Sequence, residues 1–245
     1  MKLWKKILIG GLIILAVFAG VFVLWGETPA QPMPEALAAL QSDTDVKVSA
    51  GNWLVFTPAQ AAPSAGFIFY PGGRVDYRAY APMAHALAAR GYLVVIPKMP
   101  LNLAVFGISK AVDIQAAYPE VQTWYIGGHS LGGSMAADYL FKYQEKFVGL
   151  ILLASYPASS DDLKQYPGKV LSISGSLDGL ATPEKIAASK SLLPPSSQFI
   201  VISGGNHAYF GWYGPQSGDN LATITRDEQQ QILIDHISKF MHRRS

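Results

Sequence analysis

The sequence predicts an α/β fold: a mostly parallel sheet with helices on both faces and no large cap domain. Three observations predict it. Short apolar runs alternate with helix-patterned stretches along most of the chain. The runs are continuously apolar, as in strands buried on both faces, rather than alternating apolar with polar. Half of the 245 residues are apolar and only 15% are charged, which is ample for one buried core.

In chain order, residues 34–40 form a brief helix with proline near its start, and 52–57 a strand followed by a turn-rich stretch. Residues 66–70 (Gly-Phe-Ile-Phe-Tyr) end at Pro71-Gly72-Gly73. Residues 80–90 have helical spacing and stop at Gly91, and 93–96 are a strand closed by Pro97. Residues 105–118 are helical, 123–126 a strand and 131–143 a helix. The runs 147–153, 170–173 and 199–202 are strands, and 226–242 is the final helix. A sheet of this kind carries its chemistry at the carboxyl ends of its strands.

The amino terminus has a different character. Lys2, Lys5 and Lys6 precede an uncharged apolar run of 19 residues, 7–25. As a helix it spans roughly 28 Å, close to a hydrocarbon core of about 30 Å. It is longer than the apolar stretch of a cleaved signal, about 7–15 residues, and the small-residue site after it is interrupted by Pro29. The expectation is a single-pass anchor over 1–25 in the cell membrane, with the lysines cytoplasmic and the rest exported. Secretion after signal cleavage is the alternative. Residues 26–40 then form an extended linker and the short helix, and 41–245 the α/β domain.

A net charge of +2 with no basic stripe gives no support for a nucleic-acid partner. The absence of cysteine excludes disulfides, a thiol nucleophile and cysteine-ligated zinc. No G-x-G-x-x-G or H-E-x-x-H pattern occurs, so neither a cofactor nor a metal is expected.

Gly128-His129-Ser130-Leu131-Gly132 matches G-x-S-x-G, lies after a strand and opens a helix. Glycines two residues either side of the serine relieve a sharp turn, and the following helix points its positive end at the site. The overlapping G-x-x-x-x-G spacing of 127–132 lacks a phosphate-binding lysine, since position 133 is Gly. A serine nucleophile needs a base, and the base an orienting acid. Of five histidines, His129 lies inside the turn, and His85, His236 and His242 lie in helical stretches. His207 follows the last strand in a turn after Gly204-Gly205-Asn206. Asp178 occupies the equivalent turn after 170–174. Asp161 and Asp162 fall in a polar loop, and Asp219 comes too late in the chain. The oxyanion donors expected are the N–H groups of Leu131 and Gly73, with Gly72 as second choice. Met99, Phe106, Tyr209 and Phe210 are candidate substrate-lining residues, although loop packing suits them equally.

The Phe-Tyr-Pro-Gly-Gly loop, the Gly-Gly-His-Ser-Leu-Gly-Gly turn, the Gly-Ser-Leu-Asp turn and the Gly-Gly-Asn-His-Ala-Tyr-Phe-Gly segment together resemble the α/β-hydrolase family, in its bacterial branch related to dienelactone hydrolases. The similarity covers residue 52 to the end. The order Ser130, Asp178, His207 is the order of that family's triad. Dienelactone hydrolases carry a cysteine where this chain has Ser130, so the resemblance implies ester hydrolysis through an acyl-serine. The partner implied is a small-molecule or lipid ester. A thioesterase, an acyltransferase or a catalytically silent scaffold on the same fold are the alternatives.

Overall fold

A computed structural model describes residues 3–242. Its eight strands are β1 (Val46–Ala50), β2 (Trp53–Pro58), β3 (Ala65–Tyr70), β4 (Tyr92–Pro97), β5 (Trp124–His129), β6 (Gly149–Leu153), β7 (Lys169–Gly175) and β8 (Gln198–Ile202). They form one sheet in the order β1-β2-β4-β3-β5-β6-β7-β8. β1 and β2 pair antiparallel, as do β2 and β4; every other pair is parallel.

Side-chain alternation along the strands divides the core in two. Phe67 and Phe69 of β3 and Val94 and Ile96 of β4 face helices α3 (Ala81–Ala89) and α7 (Arg226–His242), which contribute Met83, Leu87, Leu233, Ile237 and Phe240. Ile68, Tyr70, Leu93 and Val95 face α4 (Lys110–Ala117) and α5 (Leu131–Lys142), which contribute Ile114, Ala136, Ala137 and Leu140. Because both faces are covered, β3, β4 and β5 are buried along their whole length. This explains why they read as uninterrupted apolar runs.

Strand order reverses at β3, which lies between β4 and β5. Tyr70 at the end of β3 pairs with Gly128 near the end of β5. The loops leaving both strands therefore emerge side by side, at the switch point where an open α/β sheet places its ligands.

Four segments differ from expectation. β1 was not anticipated; its Val-Lys-Val-Ser-Ala sequence is short and half-exposed at the sheet edge. The short helix α6 (Pro183–Ser189), capped by the Thr182 hydroxyl, was also not anticipated. The helix expected over 105–118 begins only at Lys110, because two 3-10 turns, Pro100–Asn102 and Ala104–Phe106, occupy the chain before it.

The stretch expected as an extended linker is bonded to the domain. Ala30 bridges to Val75 and Pro32 to Tyr213, and the short helix α2 (Pro34–Ala38) follows. Ahead of it, α1 (Leu3–Gly26) is long and apolar enough to cross a membrane, and only Gly26 at its end is buried.

Candidate active site

Ser130 stands between β5 and α5 with φ 51° and ψ −124°. No L-residue adopts that conformation without cost, and it persists only where its surroundings hold it. Here the Ser130 N–H donates to the Leu153 carbonyl at 3.0 Å. Its carbonyl accepts from the Ser155 hydroxyl at 2.7 Å and from the Ser134 N–H at 3.1 Å. Gly132 has to lack a side chain, because a Cβ there would run into the carbonyls of Tyr70 and Pro71. The turn thus packs directly on the loop leaving β3.

His207 lies in the turn after β8 and is 1% exposed. Its Nδ1 is 2.9 Å from Oδ2 of Asp178 and 3.1 Å from Oδ1. A carboxylate only accepts, so Nδ1 carries the proton and Nε2 presents its lone pair. Nε2 is buried and makes no hydrogen bond. Asp178 is 2% exposed, and its Oδ1 also accepts the N–H groups of Leu180 and Ala181 at 2.8 and 2.7 Å. Those bonds fix the carboxylate before it orients the ring.

His129 lies beneath His207, with ring centroids 4.5 Å apart. Its Nδ1 meets the Tyr80 hydroxyl at 2.9 Å, and that hydroxyl also accepts the Gly72 N–H at 3.0 Å. Tyr80 therefore gives its own proton to His129. Burial holds the His129 pKa well below the usual imidazole value, and the neighbouring His207 ring pushes it the same way. His129 is a neutral support under the site.

The two oxyanion candidates from the β3 loop separate here. The Gly72 N–H is committed to Tyr80, whereas the N–H groups of Gly73 and Leu131 make no hydrogen bond among the described residues. The two residues adjoin: a Cβ on Gly73 would lie 3.1 Å from Cδ2 of Leu131.

The four substrate-lining candidates scatter. Met99 is buried in the second core cluster. Phe210 is fully buried and stacked on His129 at 5.8 Å. Tyr209 lies under the Arg226 guanidinium, 4.2 Å away. Phe106 is 51% exposed, with its ring 6.3 Å from that of Phe22 in α1. The hollow next to the site, about 350 Å³, is lined instead by Ala30, Gly73, Arg74, Tyr213 and Gln216 among others. A larger hollow of about 420 Å³ between Pro82, Trp212 and α7 touches none of the candidate residues.

Asp219, set aside at the sequence level, proves central. It accepts N–H groups from both the Asp178 turn and the His207 turn. Only its place in a Gly-Asp-Asn turn could have marked it. Among the described residues, no group of three or more His, Asp or Glu side chains could hold a metal.

Residues 66–231 match a family model described as the α/β-hydrolase family. The chain belongs to that family. The α/β-hydrolase fold recurs in solved structures of low sequence identity. One is a protein described as a dienelactone hydrolase from Klebsiella pneumoniae, 11% identical, covering 81% of this chain and 98% of its own, with TM-score 0.63. Another is the carboxylesterase CesB from Bacillus subtilis, 12% identical, covering 85% and 95%, with TM-score 0.60. A third is Est1E from Butyrivibrio proteoclasticus with bound ferulic acid, 12% identical, covering 82% and 98%, also with TM-score 0.60. No curated protein sequence matches this hydrolase.

Proposed function

We propose that this α/β-hydrolase is a membrane-anchored serine hydrolase acting on carboxylic esters. The observation that carries the reading is the buried Asp178–His207 pair, whose Nε2 has no hydrogen-bond partner among the described residues, on the same sheet as a serine held at positive φ.

In this reading His207 Nε2 takes the Ser130 hydroxyl proton as Oγ attacks the ester carbonyl. The developing oxyanion is bound by the N–H groups of Leu131 and Gly73, and the amino end of α5 favours the same charge. The imidazolium, held by Asp178, returns the proton to the departing alcohol. Water then enters, gives a proton to His207 as it attacks the acyl-serine, and His207 passes that proton to Ser130 Oγ as the acid leaves. A donor pair of this kind contributes about 3–4 kcal/mol per N–H to the transition state. The ester assignment is supported by the serine at the nucleophile position and by the esterases that share the fold. The anchor is supported by the length and exposure of α1, about 36 Å, against a hydrocarbon core of about 30 Å.

The test is labelling of the full chain in detergent with a fluorophosphonate, read by intact mass, beside Ser130→Ala. One adduct that disappears in the variant is expected. An adduct that survives in Ser130→Ala, or folded wild-type protein that takes none, would overturn the mechanism.

A further inference from the structure

The end of α1 is clasped to the loop that bears Gly73. Arg74, the next residue, donates from Nε to the Trp25 carbonyl at 2.9 Å and from a terminal nitrogen to the Thr28 carbonyl at 2.8 Å. Its guanidinium lies 4.4 Å from the centre of the Trp25 ring. The first bond reaches a carbonyl of the last helical turn, which has no intrahelical partner. From the other side Asn102 donates its amide to the Gly26 carbonyl at 2.9 Å. Gly26 sits so close to Leu101 that a Cβ there would come within 2.8 Å of the leucine Cβ. Arg74, Leu101 and Asn102 all have positive φ, between 53° and 54°. Three non-glycine residues in that region indicate a junction held in one geometry.

The clasp fixes the height of what lies beside α1. Val105 and Phe106 are 47% and 51% exposed, and the Phe106 ring meets Phe22 edge-on. Phe22 is four residues before Gly26, which places it roughly 6 Å deeper along the helix axis. Trp25, with Arg74 over its ring, has the amphipathic character of a side chain at the membrane–water boundary. A helix that spans a bilayer up to Trp25 therefore holds Phe106 6.3 Å from a ring that lies inside the bilayer. Leu103 connects this wedge to the site: its Cδ2 is 3.7 Å from where a Gly73 Cβ would be.

We propose that Val105 and Phe106 insert into the bilayer beside α1. The catalytic domain then rests on the membrane surface, with the Gly73 side of the site turned to esters resident in the lipid–water interface. The partner is the same bilayer that α1 crosses, and the inference rests on α1 being a membrane helix.

The chain has no cysteine, so single cysteines can be labelled without background. Phe106→Cys, Phe22→Cys and Val201→Cys are prepared in the full chain; Val201 is 61% exposed on β8, at the far edge of the sheet. Each carries a polarity-sensitive fluorophore and is reconstituted into phosphatidylcholine vesicles with or without nitroxide-bearing lipid. The expected result is at least twofold quenching at positions 22 and 106 and none at 201. Adding Arg74→Ala to the Phe106→Cys chain should lower the quenching at 106 while leaving that at 22. Quenching at 22 with none at 106 overturns the proposal and leaves the anchor standing. No quenching at 22 removes the anchor, and the proposal with it.

Discussion

Asp219 accepts the backbone N–H of His207 at 3.2 Å. The same carboxylate accepts Ala208 N–H at 2.8 Å and reaches back to Gly179 N–H at 3.1 Å. One side chain thus ties the turn carrying Asp178 to the turn carrying His207, although the two candidates are 29 residues apart in sequence. Asp219→Asn replaces one acceptor oxygen with a donor and leaves at least one buried N–H unpaired, costing about 1–3 kcal/mol. Loosening the pair should lower kcat on a soluble ester roughly 10- to 100-fold, with a smaller change in KM. Steady-state kinetics beside a urea titration checks this; an unchanged kcat would show that the staple plays no part.

Among the described residues the Tyr80 hydroxyl is the only partner of the Gly72 N–H, and it also holds His129. Tyr80→Phe keeps the ring packed on Phe69 but strands two buried polar groups, costing about 1–3 kcal/mol. Activity should fall with stability, since Gly73 is displaced when Gly72 loses its tether. A variant with the wild-type thermal midpoint and rate would contradict this account.

Acid sensitivity follows from His129. Its pKa in the folded protein lies well below the usual 6.5, so the unfolded chain binds a proton that the native one refuses. The stability contributed by neutral His129 is therefore complete above about pH 6.5. It is lost as pH falls below that toward the depressed folded value, at roughly 1 kcal/mol per pH unit. His129→Gln should remove that part of the loss, compared by urea unfolding at pH 8 and 5.5. If both proteins lose the same stability, His129 is not the group responsible.

Gly132→Ala should be costly, about 3 kcal/mol, because the new methyl meets two backbone carbonyls that cannot rotate away. Gly214→Ala has nothing within 4 Å of its added carbon and should stay within about 0.5 kcal/mol. Differential scanning of both variants checks the contrast; equal midpoints would mean that the turn relaxes.

Much of this arrangement was legible because its signals are local. Buried parallel strands announce themselves as apolar runs, and G-x-S-x-G needs only five residues to describe its turn. Asp178 and His207 were chosen by their places after β7 and β8, and the structure brings them into contact. Asp219 was illegible because its role depends on a turn that folds back 40 residues to Gly179. Met99 after a strand end and Phe210 after His207 read as lining from their apolar character, which packing inside the core satisfies equally well. Residues 105 and 106 extend the expected helix through their hydrophobicity, whereas the Phe106 ring packs instead against Phe22. Composition reads 26–34 as a short extended linker, and it carries no hint that Arg74 reaches Trp25 and Thr28.

The clasp between Arg74 and the end of α1 also alters how such an enzyme finds its substrate. If α1 spans a bilayer as proposed, the domain could not tumble on a slack chain, and encounters would take place by lateral diffusion within a plane. Turnover would then follow the mole fraction of ester in the membrane, and diluting the suspension would leave the rate per enzyme unchanged.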